Sequence, residues 1–369
     1  MLKQTVFVLY GGESTEHEVS CRSAASIVKN LDRKKYNIKA IGISKGGQWL
    51  PHKNDLPLPE QIGEILQLPE LLASSSASDF AGLMSANRET DSRQLPPVVF
   101  SVVHGYGGED GRFQGLFDLI KLPYVGPDCL GSAVAMDKAV AKTLVKAAGV
   151  PVADFFTIRA QEWFQPERSQ IEGLVRKRAF DLEYPLFIKP TNGGSSVGVS
   201  KARNETELFE KIKFAFEFDE KIIIEKGLDA REIECAALGD YNPVISIPGE
   251  VIPHSDFYTY EAKYSKNSTA EVKVPAELTD AQITEVQKLS LISFQALELY
   301  GMARLDFFLE KSSGKFYFNE ANTIPGFTSI SQYPMLWKQS GISQSELLDR
   351  LIESAIQRYN IRSKQKRVI

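Results

Sequence analysis

Two short apolar runs, each closed by glycines, most constrain how this 369-residue chain folds. Thr5–Tyr10 (TVFVLY) ends on Gly11 and Gly12, and Val98–Val103 (VVFSVV) runs into His104-Gly-Tyr-Gly-Gly. Continuous apolar runs of this length fit strands buried on both faces. Between them, Glu16–Leu31 carries Ala24, Ile27, Val28 and Leu31 at helical spacing. Lys39–Ile43 is a further strand, closed by Gly46 and Gly47. Strand and helix in alternation predict a parallel α/β sheet at the N-terminus. Such sheets bind ligands at the loops beyond the carboxyl ends of their strands. The stretch Leu72–Pro97, with LASSSAS and Pro96-Pro97, interrupts the pattern and reads as an exposed insertion.

Composition narrows the classes. With 43 Lys+Arg against 47 Asp+Glu, the net charge is −4 and the apolar share 43 %, which excludes global disorder. No apolar run approaches the ~20 residues of a membrane helix. A balanced, slightly acidic chain does not fit a general nucleic-acid binder. Cys21, Cys129 and Cys235 are too scattered for a disulfide scaffold or a zinc knuckle, and Met1–Tyr10 carries no signal region. A cytoplasmic protein without membrane or nucleic-acid partners is expected. The length predicts more than one domain, divided as 1–126, 127–225 and 226–369.

Downstream, Met136–Ala148 reads as one helix stopped by Gly149-Val150-Pro151, and Pro185–Lys189 as a strand. Asn204-x-x-Glu207 opens a helix, Ile222–Glu225 is a strand, and an amphipathic helix is built around Val286, Leu289, Ile292, Ala296 and Leu299. Strands Met302–Leu309 and Phe316–Asn319 follow, then a helix opened by Ser343-x-x-Glu346. The basic tail Arg362–Ile369 is expected to fray.

The strongest chemical signal is geometric. An antiparallel hairpin centred on Ser313 sets Asp306 opposite Glu320 and Arg304 opposite Asn322. Strand alternation puts all four on one face, with Phe308, Phe316 and Phe318. Carboxylates and an amide oxygen suit Mg²⁺ held together with phosphates. The competing possibility is a salt bridge of Arg304 to Asp306 or Glu320. A half-buried face with two acids and one base favours a counter-cation.

Other segments each carry two readings. Lys189 enters a Gly/Ser loop running to Gly198, in which Ser195, Ser196 and backbone N–H groups can cradle a phosphate. The loop lacks the Walker ending, and a plain hairpin turn is the alternative. Glu225 and Lys226 close an apolar strand that either meets a purine and ribose or is simply a strand with a charged end. Gly11–Ser20 opens a helix, and Glu13, Glu16 and Glu18 there suit an ammonium better than an anion. Thr15 with Glu18 makes a capping arrangement. His104–Gly111 is a glycine-rich turn or a ligand loop.

Seven segments, GGESTEHEVS, HGYGGEDGRFQG, KPTNGGSSVGVS, EKGLDAREIE, YEAKY, MARLDFF and NEANTIPGFTSIS, occur in one order. Over about Val6–Tyr359 the chain resembles the D-alanine–D-alanine ligases of the ATP-grasp superfamily. The resemblance implies an N-terminal Rossmann-like α/β lobe, a central lid and a C-terminal lobe, with ATP between the last two. It implies a reaction in which ATP phosphorylates one D-alanine and the amine of a second attacks, for peptidoglycan synthesis. Lys138, Lys189, Ser195, Ser196 and Val197 would meet the phosphates. Glu225, Lys226, Leu228 and Glu232 would hold adenine and ribose. Asp306, Glu320 and Asn322 would hold two Mg²⁺, with Mn²⁺ as a substitute. Glu16 would bind the first D-alanine and join Ser195 and Tyr264 in a triad. Arg304 and the N–H of Gly326 would form an oxyanion hole, with Lys263 and Ser331 near the second substrate and His104 beside both. The resemblance also implies a homodimer.

Two positions depart from the family pattern. Arg112 follows Glu-Asp-Gly, where a small residue is common, and Gln332 follows Ser331, where an apolar one is usual. Gln332 keeps D-alanyl-D-serine and D-alanyl-D-lactate formation open as alternatives, whereas Tyr264 is the residue expected of dipeptide-forming members. A nucleotide-binding regulatory protein without catalysis is the alternative of another class.

Overall fold

The computed structural model describes residues 3–52, 56–69, 96–166, 168–253, 270–328 and 330–366. The first sheet has the order β3-β2-β1-β4, from β1 (Gln4–Gly11), β2 (Tyr36–Ile43), β3 (Trp49–Pro51) and β4 (Val98–Ser101). β1 runs parallel to β2 and β4, as the alternation predicts, and β3 adds an antiparallel edge. Val6, Leu9, Val98 and Phe100 are fully buried, so both faces of the sheet are covered. Gly11 turns the chain with φ 89°, and a Cβ there would stand 2.1 Å from the carbonyl oxygen of Ile43. Only glycine fits so close an approach in the left-handed region.

The helix His17–Asn30 follows, with Glu16 at its N-cap and no side-chain capping hydrogen bond. Glu18, in the first turn, accepts from Lys45 at 2.8 Å.

The second sheet is antiparallel, order β5-β8-β6-β7, from β5 (Phe155–Arg159), β6 (Leu186–Pro190), β7 (Ser200–Ala202) and β8 (Lys221–Lys226). The helix Glu205–Ala215 packs on it through Leu208 and Ile212, capped by Asn204, which accepts from the Glu207 N–H. The expected helix Met136–Ala148 is two helices, Cys129–Met136 and Lys138–Ala147, broken at Asp137. Asp137 takes extended ψ and caps the second helix, accepting from the N–H groups of Ala139 and Val140. That capping energy competes with helix continuation, and it places Lys138 at a helix N-terminus.

The third sheet has the order β12-β11-β9-β13-β14, with β10 (Val244–Ile245) beside β9. Its other strands are β9 (Ala230–Leu238), β11 (Gly249–Pro253), β12 (Ala270–Lys273), β13 (Met302–Glu310) and β14 (Phe316–Asn322). The helix Asp280–Ala296 covers one face, with Val286, Leu289 and Phe294 against Leu305, Phe307 and Phe318. Among the described residues, no helix is long and apolar enough to cross a membrane.

The last helix, Gln344–Ser363, extends into the segment expected to fray, and Arg362 pairs with Asp128 at 2.6 Å. Arg358 ties this helix to the chain before it. Its guanidinium donates to the carbonyls of Tyr124 and Gly126, both at 2.8 Å, with Asp240 at 3.5 Å. Arg358→Ala would leave two acceptors buried without donors. It is expected to cost about 3 kcal/mol, read as a lower urea midpoint at an unchanged m-value.

Candidate active site

The hairpin β13–β14 has the register that the sequence spacing predicts, Arg304 opposite Asn322 and Asp306 opposite Glu320. A bulge between Asp306 and Phe307 then shifts the register by one residue. Phe318 pairs with Phe307 and Phe316 with Leu309, and all four lie in the core on the other face. The expectation that Phe316 and Phe318 share the polar face is thus overturned, because one extra residue inverts the alternation beyond the bulge. Phe308 stays half-buried on the polar side.

That polar face is richer than the hairpin alone. β9 lies on the other side of β13 and brings Glu234 opposite Asp306 and Glu232 opposite Phe308. Oxygens of Glu232, Glu234 and Asp306 lie within 4.8 Å of one another. Arg304 answers them: Nε and Nη2 donate to the two oxygens of Asp306 at 2.8 and 2.7 Å, and Glu234 stands at 3.3 Å. The salt bridge weighed as an alternative is therefore present. Burial disfavours the Arg304 charge, but Asp306 and Glu234 outweigh it and hold the guanidinium protonated. Asn322 donates to Asp306 Oδ2 at 2.9 Å. Glu320 lies 3.4 Å from the ammonium of Lys138. Glu234 was not singled out from the sequence; its signal is the two-residue spacing from Glu232, which puts both on one face.

Lys138, from the helix N-terminus, also donates to the carbonyl of Gly193 at 2.5 Å, so it joins the hairpin to the glycine-rich loop. In that loop Ser195 and Ser196 have φ of 52° and 59°, a left-handed pair that turns the backbone sharply. Ser196 and Val197 are half-buried, and the Val197 N–H donates back to Gly194. The Ser195 hydroxyl donates to Glu16, which arrives from the loop after β1. A Cβ on Gly194 would lie 3.1 Å from Glu16, so glycine permits this approach.

The floor between the second and third sheets holds a charged trio. Glu225, on β8, faces Lys189 at 2.6 Å through Oε2 and Lys142 at 3.0 Å through Oε1. Burial would raise the Glu225 carboxyl, yet the two lysines hold it down to about 2. Lys189 donates to Asn319 at 3.5 Å. Burial opposes its charge, and Glu225 more than restores it. Oε1 of Glu225 is buried without an aligned hydrogen bond, so its contact with Lys142 is one of charge. Lys142 was missed in the sequence; its only signal is the four-residue spacing from Lys138.

Four residues assigned to nucleotide and second substrate are less converged. Lys226 turns its ammonium to Glu183 at 2.9 Å. Leu228 is half-buried after β8, and Glu232, half-buried on β9, turns toward Glu234 and Asp306. Ser331 stands at the N-cap position of the helix Gln332–Gln339 without a side-chain capping bond, its Oγ pairs with Thr328 at 2.7 Å, and that Oγ would lie 2.7 Å from a Cβ on Gly326. Lys263 and Tyr264 lie outside the described residues. The insertion at 72–97 likewise lies outside them up to residue 95.

Near Glu16, His104 is buried and pairs through Nδ1 with the carbonyl of Ile324 at 2.8 Å. Burial pushes its imidazole down, toward the neutral form. Glu109, also missed, accepts from the N–H groups of Gly105 and Ile324 at 2.8 and 2.9 Å, tying the two loops. Burial and then the nearby Glu16 raise its carboxyl to about 7.

Two antiparallel sheets that meet over buried lysines, a glycine-rich loop and a carboxylate-bearing hairpin define the ATP-grasp class. Residues 5–127 and 144–353 match family models described as D-ala D-ala ligase N-terminus and C-terminus. The chain is 44 % identical to a D-alanine–D-alanine ligase of Acetivibrio thermocellus, over 97 % of each chain. It is similar to the solved D-alanine–D-alanine ligase of Coxiella burnetii, with TM-score 0.79, 35 % identity, and 98 % of this chain and 96 % of that one covered. It is also similar to the VanG D-Ala:D-Ser ligase of Enterococcus faecalis, with TM-score 0.78, 33 % identity, and 96 % of this chain and 100 % of that one covered. The chain belongs to the D-alanine–D-alanine ligase family.

Proposed function

We propose that this chain is an ATP-dependent ligase joining two D-alanines into D-alanyl-D-alanine, a peptidoglycan precursor, through a D-alanyl phosphate. The observation that carries this is one unbroken line of contacts. It runs from Glu16 to Ser195, along the loop to Gly193, through Lys138 to Glu320, and across the hairpin to Asp306 and Arg304. These contacts support the reading by joining the group assigned to the amino acid to the groups assigned to the phosphates.

A carboxylate resists attack by an amine, and transfer of the terminal phosphoryl group turns one of its oxygens into a leaving group. Glu16 takes the ammonium of the first D-alanine, beside His104. Lys138 and Lys189 meet the phosphates under Ser195, Ser196 and Val197. Glu225, Lys226, Leu228 and Glu232 surround base and ribose. Arg304 and the N–H of Gly326 stabilise the oxyanion when the second amine attacks. Ser331 and Lys263 face the second substrate, and Tyr264 completes the triad with Ser195 and Glu16.

The donor set fits a hard cation: Asp306, Glu320 and Asn322 offer oxygens on a face where four carboxylates outnumber the basic groups beside them. Two Mg²⁺ ions, or Mn²⁺, would neutralise the transferred phosphoryl group there. The same proposal takes the lobes as 1–126, 127–225 and 226–369, the location as the cytoplasm, and the assembly as a homodimer of the 41.1 kDa chain.

The test is ADP release with D-alanine, D-serine and D-lactate as acceptors, with each product identified. D-alanyl-D-alanine is expected to dominate. Gln332, beside Ser331, and the likeness to a D-Ala:D-Ser ligase favour D-serine as the second reading. D-Alanine as the poorest acceptor would overturn the first reading, and ATP binding without ADP release would overturn both.

A further inference from the structure

Lys142 is 1 % exposed and belongs to none of the assigned ligand contacts. It comes from the helix Lys138–Ala147, one turn after Lys138; its ammonium donates to the Phe318 carbonyl at 3.1 Å and makes a charge contact with Glu225 Oε1 at 3.0 Å. A buried cation needs a strong reason to be kept, because burial works against its charge.

The charge arithmetic of the trio supplies that reason. Without Lys142, Glu225 and Lys189 would form a neutral buried pair, with Lys189's charge spent on its own neighbour at 2.6 Å. With Lys142, two ammonium groups share one carboxylate, and the trio carries one net positive charge. The side chain of Lys189 is 11 % exposed and that of Lys142 1 %, so the surplus charge emerges at Lys189. The split is geometric as well, since each lysine holds a different oxygen of Glu225.

We infer that Lys142 is a positioning residue: it compensates the charge of Glu225 from below, so that Lys189 presents its full charge to the nucleotide phosphates. This rests on Lys189 being a phosphate ligand. Lys142 itself touches no nucleotide. Its removal would therefore weaken binding in proportion to phosphate charge and leave adenosine recognition intact.

The test uses the whole protein and measures affinities for adenosine, ADP and ATP. Lys142→Met is expected to weaken ATP by about tenfold, the scale of one unit charge across a partly screened site. ADP should weaken less, and adenosine should stay unchanged. Adding Glu225→Gln to Lys142→Met restores the trio's net charge, so the ATP-over-adenosine preference should return to the wild-type value. That double variant carries the test if the single one does not fold. Equal losses for adenosine and ATP, an unchanged ATP preference in Lys142→Met, or a double variant that stays low would each overturn the inference. A wild-type protein with no preference for ATP over adenosine would instead overturn the phosphate-binding reading beneath it.

Discussion

Arg304→Ala is expected to lower kcat by at least about a hundredfold, the loss seen when an oxyanion donor is removed, with the KM for ATP little changed. Arg304 sits among Asp306, Glu234 and Glu320 and is held protonated by the first two. A half-buried guanidinium fixed by its carboxylate partners needs no reorganisation when negative charge develops on the carbonyl oxygen. The same substitution strips two buried carboxylates of their counter-charge and destabilises the fold by about 3–5 kcal/mol. Arg304→Lys separates the two effects: it keeps the charge but loses the paired hydrogen bonds to Asp306. Stability should partly recover while kcat stays low. Steady-state kinetics beside urea unfolding reads both, and an altered ATP KM as the only change would defeat the oxyanion assignment.

The second large effect is expected at Glu320. Of the two hairpin carboxylates, Asp306 is 1 % exposed and clamped by Arg304, whereas the Glu320 side chain is 27 % exposed. Glu320 is thus the carboxylate best able to adapt to an incoming cation. Glu320→Gln keeps the shape and removes the charge. Phosphoryl transfer should fall by roughly a hundredfold or more, within the several kcal/mol a bound divalent ion supplies. The Mg²⁺ concentration for half-maximal ADP release should rise. Because Lys138 loses its partner at 3.4 Å, ATP binding itself should not weaken. Unchanged turnover at limiting Mg²⁺ would remove the metal assignment.

What could be read from the sequence follows from how local each signal is. The pairing of Asp306 with Glu320 agrees with a hairpin centred on Ser313, although the pairs nearest the turn are offset by one residue, because the extra residue of the bulge restores that register from Asp306 outward. The bulge beyond Asp306 was not, since one unpaired residue leaves no mark in composition, and its effect was to send Phe316 and Phe318 to the core. The parallel first sheet was legible from apolar runs closed by glycine. The helix break at Asp137 was obscured by the apolar run through Met136, although an Asp before a lysine-rich helical stretch is a cap signal. Lys142 stayed hidden for a different reason. A lysine on an amphipathic helix normally points to water, and only β8 and β14, arriving from 80 or more residues away in the chain, turn its surroundings into an interior. Glu109 and His104 are similar: their burial depends on Ile324, far along the chain.

The most direct test of the central claim follows oxygen. D-Alanine labelled with ¹⁸O in its carboxylate is incubated with ATP and the protein, and the phosphate released is analysed by mass. If the carboxylate attacks the terminal phosphoryl group and is later displaced by the second amine, each phosphate carries one ¹⁸O, in step with D-alanyl-D-alanine. Dipeptide formed together with unlabelled phosphate would contradict an acyl phosphate on this pathway.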